Sequence, residues 1–410
     1  MTGDRIVVRN GTVFDSRAAA LVGERTVVIE GDRIVAVTDE PVSPGDGRVV
    51  DAAGATVVPG LIDAHVHVMV ATMDFARAAA MPLTLLGIHA ARALESMLRR
   101  GFTTVRDAGG ADGGVATAVE RGVVPGPELL RCGRALSQTG GHGDTRGRSA
   151  PPATCACELV ETGIAVLADG PDAVRRAARE QLRGGASAIK VMASGGVASP
   201  SDPLWLEAYT PEELGAAVEE AARWRTYVLA HAYTPGAIRR AVDAGVRSIE
   251  HGNLLDEATA ARMAERDVFL VPTLVTYWAI AEHGAAFGLP GWALEKVHEV
   301  LDAGRRSVEV AAAAGVDIGL GTDLLGEAGV FQSRELVLRA EIQSAAEVLR
   351  SATAVNARLL QREGDLGVVE EGARADLLVV DGDPTADISL LEGDGRHLRA
   401  VVRRGELLDL

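Results

Sequence analysis

Two histidines separated by one residue lie in the apolar segment LIDAHVHV (61–68). In a β-strand, residues i and i+2 point to the same side, so this spacing predicts that His65 and His67 present their imidazoles together. Further residues of metal-ligating type end three later apolar segments: His231, His251 and Asp323. Imidazole and carboxylate groups suit Zn²⁺, and also Mn²⁺, Co²⁺ or Fe²⁺. The five residues together predict a metal site.

Lys190 lies between apolar Ile189 and Val191, in another segment that reads as a strand. An unpaired ammonium is costly to bury, so this lysine needs a partner or a function. It could form a salt bridge with a nearby acid, act as a Schiff-base nucleophile with a pKa lowered by burial, or capture carbon dioxide as a carbamate. The metal-type residues favour the carbamate, because two dications would repel an ammonium and attract a bridging anion.

Other candidates lie in loops or near strand ends. His142 is flanked by glycines in TGGHGD. Tyr233 follows His231 by two residues, so both side chains would point to the same side of an extended strand. Gly195 and Gly196 could offer backbone N–H groups to a substrate carboxylate, or could form a turn that needs positive φ.

Two arginines could hold a substrate carboxylate. Arg148 and Arg106 are both of the right type, and both could instead be salt-bridged structural residues. Asp107 is expected to hydrogen-bond near the site rather than to ligate metal.

These residues need a scaffold that brings distant segments together. Between residues 58 and 362, apolar strand-like segments alternate with helical patterns such as TPEELGAAVEEAARW, in which Thr210 is the cap and Pro211 lies in the first turn. Eight strands are predicted: 61–68, 103–108, 129–136, 188–194, 227–232, 247–252, 268–274 and 317–323. This alternation predicts an α/β fold, a (β/α)8 TIM barrel whose strands meet at one mouth by their carboxyl ends.

Both ends of the chain have a different sequence pattern. Residues 1–57 contain short segments that alternate polar and apolar residues, with turn signals between them, and residues 363–410 return to the same pattern. We therefore expect a small composite β-sandwich domain formed by both termini, with the barrel of residues 58–362 inserted between them.

Composition limits the classes of function. The chain has 410 residues, of which 47% are hydrophobic and 24% charged, which is typical of a globular protein. Its net charge of −16 would repel phosphate backbones and anionic lipids, so neither nucleic acid nor a membrane is an expected partner. Three cysteines and a start without the apolar core of a signal peptide favour a reducing, cytoplasmic location.

In combination, the motifs resemble the amidohydrolase superfamily and, within it, the imidazolonepropionase-like and Xaa-Pro dipeptidase (prolidase) branch. The matching segments are VVPGLIDAHVH (57–67), TTVRDAGG (103–110), SQTGGHGD (137–144), GASAIKVMASGGVASPSDP (185–203), VLAHAYTPGAIRRAVDAGVRSIEHGNLLD (228–256), VPTLVTY (271–277), IGLGTD (318–323) and GARADLLVVDGDP (372–384). The resemblance covers essentially the whole chain, and its specificity lies in the set of motifs rather than in any one.

The resemblance implies a centre with two divalent metal ions, expected to be Zn²⁺. The ligands of the more buried ion would be His65, His67 and Asp323, and those of the second ion would be His231 and His251. An N-carboxylated Lys190 would bridge the two ions. A water between two such ions is acidic enough to supply hydroxide near neutral pH.

The resemblance also implies catalytic roles for three residues. Asp323 would accept the remaining proton of the hydroxide during its attack and deliver it to the leaving amine. His142 would hydrogen-bond the developing oxyanion, and Tyr233 would contact the substrate or the transition state.

The expected activity is hydrolysis of a C–N bond, and the resemblance favours a dipeptidase or carboxypeptidase on Xaa-Pro or related N-acyl amino acids. A rival is another amidohydrolase acting on N-acyl amino acids, lactams or cyclic imides such as imidazolonepropionate. A Schiff-base lyase using Lys190 and a metal-bearing scaffold without catalysis are more remote alternatives. The expected partner is a small-molecule or dipeptide substrate, and barrel enzymes of this kind are often homo-oligomers.

Overall fold

The computed structural model describes residues 5–74, 77–78, 81–146, 149, 163–199 and 202–408. Arg148, a predicted substrate contact, lies outside these residues. The strands are β1 (Arg5–Asp15), β2 (Ala20–Glu30), β3 (Arg33–Thr38), β4 (Arg48–Asp51), β5 (Ala55–Pro59), β6 (Leu61–Val66), β7 (Phe102–Asp107), β8 (Glu128–Arg131), β9 (Ala135–Ser137), β10 (Ala165–Leu167), β11 (Ile189–Met192), β12 (Val228–Ala232), β13 (Ser248–His251), β14 (Phe269–Val271), β15 (Leu377–Asp381), β16 (Leu398–Arg403) and β17 (Glu406–Leu407).

The α-helices of the described residues are α1 (Leu83–Arg99), α2 (Gly113–Glu120), α3 (Pro171–Arg183), α4 (Pro211–Arg223), α5 (Pro235–Ala244), α6 (Glu257–Glu265), α7 (Leu274–His283), α8 (Gly291–Ala313), α9 (Arg334–Ala340), α10 (Ala345–Arg350) and α11 (Asn356–Leu359). α4 begins as the sequence predicts, because Thr210 and Glu213 form a reciprocal capping box around Pro211. None of the helices in the described ranges is long and apolar enough to cross a bilayer.

Strands from both ends of the chain share one mixed sheet with the order β17-β16-β15-β5-β1-β2-β3, and β4 pairs with β1. β15 joins the two ends because it runs antiparallel to β5, with Val379 opposite Val57. Apolar residues of these strands form a buried cluster of their own. Both termini therefore build one sheet. The domain boundaries and the sandwich arrangement stay predictions.

The middle of the chain alternates strands with helices and forms two parallel sheets, β6-β7-β8 and β10-β9-β11-β12-β13-β14. Every residue of β6, β7, β11, β12 and β13 is buried, as expected for parallel strands that are covered on both faces. The predicted α/β fold with parallel strands is confirmed. The ladders of the described residues form these two sheets and do not join into one closed barrel.

Single backbone contacts connect the two parallel sheets through the predicted eighth strand, 317–323. The Ala64 N–H donates to the Leu320 carbonyl at 2.9 Å, and Leu270 forms an isolated parallel bridge with Ile318. This segment therefore lies between β6 and β14, although it forms no extended ladder.

The predicted third strand, 129–136, is two strands in the structure. β8 ends at Arg131 and β9 begins at Ala135, with Gly133 between them at φ 69°. This left-handed conformation interrupts an extended strand and favours glycine. The break transfers the chain from the three-stranded sheet to the six-stranded sheet.

Candidate active site

His65 and His67 lie at the carboxyl end of β6 and meet Asp323 there. Their Nε2 atoms are 3.4 Å and 3.2 Å, respectively, from Asp323 Oδ1. One ligand atom from each of the three residues lies within 4.8 Å of the others. Asp323 has φ 52°, a left-handed conformation that aspartate tolerates better than most residues, and its N–H donates to the His65 carbonyl at 2.8 Å. This backbone contact holds the carboxylate beside the histidine pair.

His231 and His251 extend the cluster of buried imidazoles. His231 lies in β12 and His251 ends β13, with ring centroids 4.6 Å apart. The His251 ring is 5.1 Å from the His65 ring, and its Nδ1 atom is 3.9 Å from Asp323 Oδ2. The four imidazoles predicted as ligands thus form one continuous group around Asp323.

Lys190 lies in β11, beside β12, and is 1% exposed. Burial lowers its pKa and so favours the neutral amine. Burial is also the largest cause that lowers the pKa of His65, His231 and His251, that of His251 to about 3. Lys190 is thus a buried lysine on the strand next to the one that carries His231, and Met192 of β11 lies opposite His231.

In most of these histidines, the second ring nitrogen lies within hydrogen-bond distance of another group of the protein. His65 Nδ1 lies 2.6 Å from Glu250 Oε2, His67 Nδ1 lies 2.7 Å from the Gly109 carbonyl, and His251 Nδ1 lies 2.8 Å from Thr273 Oγ1. Such contacts fix the orientation of a ring and leave its Nε2 for a metal. His231 differs, because its Nε2 lies 3.0 Å from the Gly195 carbonyl.

Glu250 is a buried carboxylate that the sequence reasoning missed. Besides contacting His65, it accepts from Arg106 Nη2 at 2.9 Å and from the Ser248 hydroxyl at 2.6 Å. The side chains of Arg106 and Glu250 are both 0% exposed. Arg106 is therefore a salt-bridged structural residue rather than a clamp for a substrate. The signal available in the sequence was an acid inside the buried strand RSIEH.

Asp107 and Asp63 organise the backbone around the histidine pair. Asp107 accepts from the N–H groups of Val68, Gly109 and Ala111. Asp63 accepts from the His65 N–H at 3.0 Å and from the Thr322 hydroxyl at 2.7 Å. Asp107 therefore hydrogen-bonds near the site, as predicted, whereas the sequence reasoning overlooked Asp63.

His142 and Tyr233 reach the imidazole cluster from different segments. The His142 ring stacks on His231 with centroids 4.2 Å apart, and its side chain is 14% exposed. The Tyr233 ring stacks on His251 at 5.5 Å, and its hydroxyl is 2.7 Å from that of Tyr277. Both predicted contact residues lie beside the imidazoles, and Tyr277 joins them without having been singled out in the sequence.

Gly195 and Gly196 pack closely and do not present an anion site. The Gly195 N–H donates to the Leu206 carbonyl at 3.0 Å, and the Gly196 N–H donates to Asp202 Oδ2 at 2.8 Å. Neither glycine has a positive φ. A Cβ on Gly196 would lie 2.2 Å from the His142 ring, so space rather than backbone freedom requires glycine there. Neither of the two roles expected for this pair matches these contacts.

The donor set fits a divalent metal ion. Two imidazole nitrogens and one carboxylate oxygen match the three protein ligands that Zn²⁺ takes in catalytic sites. The remaining imidazoles extend the same cluster, and Lys190 is buried on the strand next to that of His231. Such a centre is suited to polarise a carbonyl and to generate hydroxide near neutral pH.

Comparison with known proteins agrees with this chemistry. The profile of the amidohydrolase family matches residues 56–408. An ochratoxinase of Aspergillus niger is 33% identical over 340 residues, which cover 80% of this chain and 70% of that protein. A crystal structure of a prolidase complexed with N-methylphosphonate-L-proline is 49% identical, covers 99% of both chains and superposes with a TM-score of 0.96.

A further solved structure is a Xaa-Pro dipeptidase with bound methionine in the active site. It is 29% identical, covers 99% of this chain and 100% of its own, and has a TM-score of 0.90. Members of the family generally use metal ions, in keeping with the His-His-Asp cluster. The protein is a hydrolase acting on C–N bonds. The extent of the family match shows that the chain belongs to the amidohydrolase family.

Proposed function

We propose that the cluster binds two divalent metal ions, expected to be Zn²⁺, and that the protein uses them to hydrolyse an amide bond. The ligands would be His65, His67 and Asp323 for one ion, His231 and His251 for the other, and an N-carboxylated Lys190 for both. The observation that carries the proposal is the convergence of His65, His67 and His251 around Asp323, from strands far apart in the sequence, with His231 beside His251. Burial of Lys190 beside that cluster supports a bridging role.

We also propose that the two parallel sheets are parts of one (β/α)8 barrel over residues 58–362, with a β-sandwich domain formed by 1–57 and 363–410. The contacts of segment 317–323 with β6 and β14, and the passage of the chain from β8 to β9, support a continuous ring of strands. The single sheet shared by both termini supports the second domain.

Two bound ions would lower the pKa of a water and polarise the scissile carbonyl. Proton transfer would be carried out by residues of the chain. Asp323 would accept a proton from the attacking water and give it to the leaving amine. Although burial opposes it, the neighbouring imidazoles hold the pKa of Asp323 below its ordinary value, so the carboxylate is ionised.

His142 and Tyr233 would act on the substrate itself. His142 is partly exposed beside His231 and would donate a hydrogen bond to the developing oxyanion. The Tyr233 hydroxyl would contact the substrate or the transition state on the side of His251.

The substrate class we propose is a dipeptide of the Xaa-Pro type or a related N-acyl amino acid. The 49% identity to a prolidase solved with a proline phosphonate, over 99% of both chains, supports this choice. The test is a library of dipeptides and N-acyl amino acids assayed on protein of measured metal content. We expect turnover of Xaa-Pro substrates that is lost on chelation and restored by metal. Absence of turnover across the library with two metal equivalents bound would refute the proposal.

Carboxylation of Lys190 has a direct test, because the chain contains one other lysine, Lys296. Protein prepared with ¹³C-bicarbonate should show a carbamate carbon signal. We expect Lys190→Met to remove this signal and to lower metal content, and Lys296→Met to keep the signal. A signal that survives in Lys190→Met would exclude this lysine as the carbamate.

A second candidate is hydrolysis of a different amide, namely a larger N-acyl amino acid, a lactam or a cyclic imide. The 33% identity to ochratoxinase favours keeping this candidate. Adding lactams and cyclic imides to the same library distinguishes the two. A Schiff-base lyase would instead give a borohydride-trapped adduct on Lys190 and activity that survives chelators.

A further inference from the structure

The protein contains only two lysines among its 41 lysines and arginines. One is Lys190, in the candidate centre. The other is Lys296, on α8, and its half-buried ammonium faces the loop that follows β11. All the other residues in this set are arginines, and the second lysine lies beside the site.

The Lys296 ammonium binds three backbone carbonyls at once. Nζ donates to the carbonyls of Gly196 at 2.9 Å, Ser199 at 2.9 Å and Asp202 at 2.7 Å. An ammonium offers three donors from one nitrogen, which matches three carbonyls that converge on a point. A guanidinium spreads its donors in a plane and cannot reproduce this arrangement. The geometry therefore explains why this position is lysine.

The loop fastened by Lys296 holds His142. Ser199 Oγ lies 2.7 Å from His142 Nδ1, and Asp202 Oδ2 lies 3.4 Å from the same nitrogen. Asp202 Oδ2 also accepts from the Gly196 N–H, so both contacts of the ring depend on the folded loop. His142 in turn stacks on His231. A chain of direct contacts thus runs from α8 to the imidazole cluster.

We infer that Lys296 is a positioning residue that sets the orientation of His142 by fixing the loop carrying Ser199 and Asp202. The inference rests on the proposed function only for its effect on turnover, since the effect on the loop follows from the contacts alone. If His142 acts on the developing oxyanion, a misplaced ring lowers kcat more than it raises KM.

The test compares Lys296→Met with His298→Met, an exposed position on the same helix. We expect Lys296→Met to lower kcat at least about tenfold with KM changed less, because small misplacements near a reacting group are costly. Metal content should match that of the wild type. Amide hydrogen exchange should accelerate in fragments containing Gly195 and Gly196. His298→Met should change none of these quantities.

Lys296→Arg is the second variant, and it keeps the positive charge if Lys296→Met fails to fold. We expect it to remain impaired, because its planar donors miss at least one carbonyl. Wild-type kcat in either variant, or unchanged exchange around Gly196, would overturn the inference. If the wild type hydrolyses nothing in the substrate library, the proposed function fails, and the exchange measurement alone then decides on Lys296.

Discussion

Replacing Glu250 with glutamine tests a buried carboxylate that contacts both a structural arginine and a candidate metal ligand. Its Oε2 contacts His65 Nδ1 at 2.6 Å, and its Oε1 accepts from Arg106 at 2.9 Å. Glutamine keeps the shape of the side chain and removes its charge. The variant therefore leaves a guanidinium without a counter-charge and a ligand imidazole without its anionic partner.

Both consequences have an expected size. The side chains of Glu250 and Arg106 are 0% exposed, and breaking a buried ion pair by removing one partner costs about 3–5 kcal/mol of stability. Loss of a carboxylate that orients a metal-binding histidine weakens metal affinity about 10–100-fold. We therefore expect Glu250→Gln to lower the apparent Tm of the metal-free protein. We also expect it to lower the affinity of the protein for metal.

A double variant separates the two effects. Arg106→Met/Glu250→Gln removes the stranded cation, so it should regain much of the lost stability without regaining metal affinity. Glu220→Gln is the control, because Glu220 is also buried among arginines but lies on α4, outside the imidazole cluster. It should lose stability and keep wild-type metal affinity. Measurement needs thermal unfolding and competition with a metal chelator. Metal affinity of Glu250→Gln within twofold of the wild type would refute the reasoning.

Three further substitutions test other parts of the site. Asp323→Asn should lower kcat by about 10²–10⁴-fold and metal content much less, whereas full activity would contradict its role in proton transfer. Gly196→Ala should lower kcat/KM by about 10²-fold, because the new Cβ would meet the His142 ring at 2.2 Å. The control is Gly215→Ala, at a helical position with open space around it, which should keep activity and stabilise the protein by about 0.5–1 kcal/mol. Equal activity of the two variants would contradict the packing argument. Burial raises the pKa of Glu335 from 4.5 to about 8. As pH rises, this carboxyl therefore ionises in the unfolded chain before it ionises in the folded protein. The stability of the fold should fall as pH rises through that interval. In Glu335→Gln, Tm measured as a function of pH should not show this fall. Parallel curves of Tm against pH for the variant and the wild type would contradict this role of Glu335.

Sequence reasoning succeeded where a local rule carried over to the fold. The period of a strand placed His65 and His67 together, and the convergence of parallel strands placed His231 and His251 beside them. These predictions needed only the strands and their order. A local rule also predicted the cap at Thr210, which depends only on neighbouring residues, and the structure adds its reciprocal bond with Glu213.

Prediction from the sequence failed where the deciding contact joins segments that are distant in the sequence. Nothing near Glu250 reveals that Arg106 and His65 will lie on either side of it. Lys296 likewise binds carbonyls that lie about a hundred positions earlier in the chain. Gly196 could be read as a flexible residue because the His142 ring that excludes a side chain comes from another loop. Supporting contacts of this kind depend on the packed fold and have no local pattern.

Backbone strain is a second property of the site that lacks a local pattern. His251, Thr273 and Asp323 have φ values of 74°, 50° and 52°, and each follows or ends a buried strand segment. A left-handed conformation at a residue other than glycine costs roughly 1–3 kcal/mol and persists only when the surrounding structure imposes it. Here two of the three are candidate ligands and the third contacts the ring of one of them. The buried strands therefore help to fix the directions of these ligands. Relaxing this backbone, rather than removing a ligand, would be expected to weaken metal binding while every donor group stays in the chain.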